Sequence, residues 1–160
     1  MKKCIIPCLF LFSLLTVSCE AQVKPNDIPV KEDSKNYKLE TVAAAIAIPW
    51  GMVWLPDGSM LVTEKSGTLY HIKNGPKTDV TNVPKVYSRG QGGLLDIALH
   101  PKYAENGWIY MTFASDEGEG TGGNTKLIRA KLLNGTLTQI ESLYKATPNT
   151  TKGQHFGSRI

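Results

Sequence analysis

The chain has 160 residues, 41% of them hydrophobic and 20% charged, with a formal net charge of +4. That balance is ordinary for one soluble globular domain. The lysines and arginines are scattered and do not interleave with aromatics, which argues against a nucleic-acid groove and leaves a solvated surface.

The first 19 residues, "MKKCIIPCLFLFSLLTVSC", hold two lysines, an apolar run from Cys4 to Val17 and then small residues. This is the order of a secretory signal, and the run is short of the ~20 residues a membrane span needs. Cys4 and Cys8 lie inside the signal, so Cys19 has no partner for an internal disulfide. "LTVSC" resembles a bacterial lipobox with Thr16 where a leucine is usual, so Cys19 is the candidate lipidation site. Ordinary cleavage after Ala21 is the competing reading. Residues 20–38, polar and containing prolines, read as a tether. The expectation is an exported protein, periplasmic or lipid-anchored to a bacterial membrane, meeting the membrane only through that anchor.

From about Tyr37 the punctuation is all-β: short runs rich in Val, Ile, Leu, Tyr and Trp alternate with Asp-Gly, Ser-Gly and Asn-Gly turns. "SMLVTEKSGTLYHIKNG" predicts a strand over Met60–Glu64, a turn over Lys65–Gly67 and a strand over Thr68–Lys73. No stretch holds a 3.6-residue apolar period. The segment from Trp50 can be laid over that from Leu94. Pro56 then falls on Pro101, Gly58 near Gly107, Thr63 on Thr112 and Asn74-Gly75 on Asn134-Gly135, with a Gly-rich insertion at Asp116–Asn124. A repeat of about 45 residues made of short strands is the signature of β-propeller blades. Residues 39–160 are then two to three blades of a propeller, read as the N-terminal piece of a longer protein. The third inner strand is expected at Phe156–Ile160.

In such a fold the loops leading into the innermost strands converge on a central channel. Here they are "IPWG" at Ile48–Gly51, "RGQGG" at Arg89–Gly93 and "GQHFG" at Gly153–Gly157. His155 can take a proton near neutral pH, as a general base must, or can be a satisfied structural histidine. Gln91 and Gln154 can exchange hydrogen bonds with a polyhydroxylated ligand or cap their own turns. Arg159 can face an anionic cofactor or bridge blades as an ion pair. His71 and His100 read as structural, and neither has a partner at metal-ligand spacing. Walker, GxGxxG, GxSxG and HExxH motifs are missing.

"PWGMVWLPDGSMLVTEKSGTLYHI", "RGQGGLLDIALHPKYAENGWIYMTF" and "GQHFGSRI", in this order, resemble the soluble quinoprotein sugar dehydrogenases, the glucose/sorbosone dehydrogenase family. The resemblance implies a six-bladed propeller holding pyrroloquinoline quinone (PQQ) with calcium, and oxidation of an aldose at C1 to the lactone with hydride passing to the quinone. It implies His155 as the base and Gln91 as a sugar contact; beside these, Gln154 is expected as a second sugar contact and His155 and Arg159 as cofactor contacts. Calcium ligands are expected beyond Ile160, so residues 1–160 alone are expected to be inactive. Gln154 stands where some glucose-oxidising members carry aspartate, which points to the broad-specificity aldose branch. The electron acceptor is external. The alternatives are a non-catalytic propeller binding carbohydrate or protein, and a calcium-dependent lactonase. The lactonase is disfavoured because the lead-in loops lack acids.

Overall fold

In the computed structural model, residues 37–160 are described. The expected signal at 1–19, the lipidation of Cys19 and all but the end of the 20–38 tether lie outside the described residues. The chain divides into two units, Met1–Leu39 and Glu40–Ile160. Of the first, only Tyr37, Lys38 and Leu39 are described, as exposed coil.

The second unit is built of two four-stranded antiparallel sheets. The first runs β1 (Pro49–Trp54), β2 (Met60–Glu64), β3 (Leu69–Ile72) and β4 (Lys77–Asp79). The second runs β5 (Leu94–Leu99), β6 (Trp108–Ser115), β7 (Asn124–Leu133) and β8 (Thr136–Lys145). In each sheet every strand pairs with its neighbour in the chain, the meander of a propeller blade. The turns explain the path. Asn134 and Gly135, with φ of 49° and 76°, form the two-residue left-handed turn that joins β7 to β8. Asn74 and Gly75, with φ of 54° and 100°, close the equivalent β3–β4 turn.

One element departs from the sequence pattern. A single helical turn, α1 (Tyr103–Asn106), replaces the Pro56–Ser59 turn of the first blade, and Gly107 closes it at φ 68° with its N–H on the Tyr103 carbonyl at 2.7 Å. Four residues are too few to display an apolar period, so the sequence carries no sign of it. His100 is held as expected of a turn histidine, its Nδ1 accepting from the Lys102 N–H and the Asn106 amide, each at 2.9 Å.

The faces of the two blades meet over one core. Leu61 and Leu69 from the first blade and Leu94, Ile109, Met111 and Phe113 from the second are fully buried in it. Each such side chain is worth roughly 1.5–3 kcal/mol of transfer free energy. A hydroxyl then stitches blade to blade. Thr63 Oγ1 accepts the Gly51 N–H at 2.8 Å and donates to the Leu95 carbonyl at 2.6 Å. Thr112 Oγ1 repeats this, accepting the Asp96 N–H at 3.1 Å and donating to the Ser158 carbonyl at 2.7 Å. Both inner strands carry the same irregularity, between Pro49 and Met52 and between Leu94 and Ile97. The repeat seen in the sequence is therefore a repeat of hydrogen bonds.

At the opposite end of the strands from the lead-in loops, Asp57 shapes the β1–β2 turn. Its Oδ1 accepts from the Ser59 hydroxyl at 2.5 Å and the Ser59 N–H at 3.0 Å, and its Oδ2 pairs with Lys73 at 3.0 Å. Ser59 also meets His71 Nε2 at 2.8 Å, which gives His71 the structural place expected of it. The Ser59 hydroxyl, then Lys73, hold the Asp57 carboxyl well below the usual carboxylate range. A carboxyl depressed on folding contributes stability above its unfolded pKa, about 3.9, and loses it as pH falls through the folded value. Acid titration of the intact protein should therefore show wild type more stable than Asp57→Asn at pH 6, with the advantage shrinking below about pH 4. A pH-independent difference would assign the effect to turn shape instead of charge.

Candidate functional site

Two of the three lead-in loops are fastened to each other. The Gln91 N–H donates to the Gly153 carbonyl at 2.8 Å, and the Gln91 side-chain oxygen accepts the His155 N–H at 2.9 Å. Residues 64 apart in sequence thus form one junction, with Gln91, Gln154 and His155 all exposed on it. The Gln91 oxygen is used in holding His155, which leaves its amide NH2 to donate outward. Gly90 and Gly153, with φ of 60° and 69°, let the two backbones approach this closely.

Beneath the junction Phe156 is buried, 5% exposed, against Leu95, Ala114 and Tyr87. Gly92 makes room for its ring, since a Cβ there would stand 3.1 Å from Phe156 Cε2 and 2.5 Å from the Tyr87 carbonyl. The backbone carbonyl of Phe156 also accepts the Thr125 hydroxyl. His155 is thus carried outward between a buried anchor and the Gln91 clamp. Its φ of 60° lies in the left-handed region, a cost of about 1–2 kcal/mol that the surrounding contacts must meet.

The Thr112–Ser158 bond places Gln154–Ser158 against β6 as Gln91–Leu95 stands against β2, so Gln91 and Gln154 are repeat equivalents. No strand forms at Phe156–Ile160, against the sequence expectation. These residues bond to side chains, Thr112, Thr125 and Asp96, and not to a neighbouring backbone ladder.

Arg159 lies on a cavity of about 570 Å³ with Ile160, Asp96 and the exposed Trp50, Met52 and Trp54 of β1. Among the described residues no carboxylate pairs with Arg159. Among the described residues no three His, Cys, Asp or Glu side chains gather as a metal site. Asp96 escaped the sequence pattern. A lone acid inside the apolar run "LLDIAL" was the available sign.

A glucose/sorbosone dehydrogenase family model matches residues 46–160. Quinoprotein glucose dehydrogenase B of Acinetobacter calcoaceticus is 28% identical over 154 residues, covering 92% of this chain and 30% of that protein. The crystal structure of soluble aldose sugar dehydrogenase from Escherichia coli, in the apo form, aligns with a TM-score of 0.66 at 30% identity, over 71% of this chain and 34% of that one. The PQQ-bound aldose sugar dehydrogenase of Streptomyces coelicolor aligns with a TM-score of 0.58 at 30% identity, over 69% and 34%. The chain spans about a third of the length of the curated relatives it matches. Two meander blades, an inter-blade threonine repeated from one to the next, and a family match across nearly all of the second unit make this chain a member of the glucose/sorbosone dehydrogenase family.

Proposed function

We propose that the intact protein oxidises aldose sugars at C1 to the lactone with PQQ as cofactor. The observation that carries this is the Gln91–His155 junction: the Gln91 side-chain oxygen accepts the His155 backbone N–H at 2.9 Å, which brings an amide-bearing and an imidazole-bearing residue together on exposed loops. His155 takes the C1 hydroxyl proton on its imidazole. Gln91 donates its remaining amide hydrogens to sugar oxygens, and Gln154, its repeat equivalent, supplies a second such amide.

The cavity lined by Arg159 is the proposed place for a flat polycarboxylate, with the Asp96 carboxylate of its wall already occupied by the Ile160 N–H. Arg159 offers a guanidinium not engaged by an acid among the described residues, and Trp50, Met52 and Trp54 offer apolar surface. Arg159 and His155 are the residues of this chain that would hold the cofactor. When bound, PQQ supplies the two-electron acceptor for the C1 hydrogen. Calcium belongs to the same proposal, with its ligands beyond Ile160, and an external acceptor reoxidises the enzyme.

Export is also proposed, with the protein periplasmic or held to a bacterial membrane through a lipid on Cys19. Labelled palmitate entering wild type but not Cys19→Ser supports the anchor, and equal labelling of both removes it.

The test of the activity is dye reduction by the intact protein supplied with PQQ and calcium. Aldose-dependent reduction that requires added PQQ, with lactone as product, is the expected result. Sugar binding without any reduction would instead make this a carbohydrate-binding propeller.

A further inference from the structure

Asp96 marks a difference between the two blades at their shared joint. It is the repeat equivalent of Gly51, because the N–H of each donates to the threonine hydroxyl that joins its blade to the next inner segment. In the first blade the residue that donates to the threonine, Gly51, has no side chain. In the second, a carboxylate occupies the position, only 9% exposed, although burying a charge costs free energy. Its Oδ2 accepts the Ile160 N–H at 2.8 Å. Its Oδ1 fills the space above Gly51, where an added Cβ would approach it to 2.9 Å.

Ser158 is gripped from the same strand pair, its carbonyl accepting the Thr112 hydroxyl at 2.7 Å. Arg159 therefore sits between two fixed backbone groups, the Ser158 C=O and the Ile160 N–H. The segment carrying His155 and Arg159 is held at its start by Gln91, in the middle by buried Phe156 and at its end by Asp96. We propose that Asp96 is a positioning residue, whose carboxylate oxygen fixes the Arg159–Ile160 backbone so that Arg159 and His155 are presented together to the cofactor and sugar. The repeat does not need this acid to build a blade, since Gly51 serves there. Its use lies in the segment it holds. This rests on the proposed aldose oxidation for its catalytic consequence, but not for its structural one.

The role is that of a hydrogen-bond acceptor, not of a proton carrier, so asparagine should replace aspartate and alanine should not. Amide exchange of the intact protein, without sugar or PQQ, is read at residues 153–160 in wild type, Asp96→Ala and Asp96→Asn. The expected result is exchange at the Ile160 amide about tenfold or more faster in Asp96→Ala and within about threefold of wild type in Asp96→Asn. In dye reduction, Asp96→Ala should need about tenfold more PQQ for half-saturation. Asp96→Asn should restore it and leave the pH profile of kcat in place. Unchanged exchange in Asp96→Ala overturns the proposal, as does an asparagine variant that exchanges tenfold faster or moves the pH profile. Should Asp96→Ala not fold, the asparagine variant decides alone, by the same two readings. A wild type inactive with every aldose overturns the proposed function while the exchange result still stands or falls by itself.

Discussion

Replacing His155 with alanine in the intact protein should lower kcat for aldose oxidation by about 10²–10⁴-fold, the usual worth of a positioned general base. The fold should be little affected. His155 is exposed, and its bond to Gln91 runs from its backbone N–H, which alanine keeps. Neither backbone strain nor packing should change much. Alanine in the left-handed region is no easier than histidine, so the strain of about 1–2 kcal/mol at this position persists. The removed imidazole was not part of a core, so no cavity opens. Activity should therefore collapse with the melting temperature nearly in place. Activity within threefold of wild type would show that the base lies elsewhere. A matched fall in stability and activity would make His155 a structural histidine after all.

The second large effect concerns the junction itself. Gly90→Ala should disrupt it, whereas Gly153→Ala should be milder, although both glycines have left-handed φ. Each substitution meets the conformational cost of about 1–2 kcal/mol. A Cβ on Gly153 finds only ordinary contacts, with the Arg89 carbonyl oxygen at 3.4 Å. A Cβ on Gly90 would overlap the Gly153 carbonyl oxygen, and a backbone atom cannot rotate away. Overpacking adds about 1–3 kcal/mol, for a total of about 2–5 kcal/mol at Gly90. The loops can escape part of this by separating, but separation breaks the Gln91–His155 bond. Urea unfolding and sugar oxidation, measured on both variants, should thus place Gly90→Ala well below Gly153→Ala in kcat/KM. Equal behaviour of the two would mean that the loops are not pressed together in solution.

Much of the blade architecture was legible because it is local. The predicted limits of β2, Met60–Glu64, are those observed, and β3 at Leu69–Ile72 falls inside its predicted span. The Asn74-Gly75 and Asn134-Gly135 pairs mark tight turns, since few residues accept a positive φ. The offset of Thr63 to Thr112 survived as a physical repeat because the same hydroxyl performs the same joint twice.

What escaped the sequence was the non-local part. That Gln91 would spend its side-chain oxygen on the His155 backbone depends on two loops 64 residues apart, and no local pattern records such a meeting. Asp96 looked like one acid in an apolar strand, and only the comparison with Gly51 at the equivalent joint shows it to be an addition. Arg159 had two readings, and only the folded chain shows that it shares a cavity with Asp96 and the exposed side chains of β1.

The most direct test of the whole account is a crystal structure of the intact protein with PQQ and an aldose bound. The sugar's C1 oxygen should lie within hydrogen-bonding reach, about 2.6–3.2 Å, of the His155 imidazole, with the Gln91 amide nitrogen on a neighbouring hydroxyl. A sugar seated away from the Gln91–His155 junction, with His155 turned to other protein groups, would contradict it.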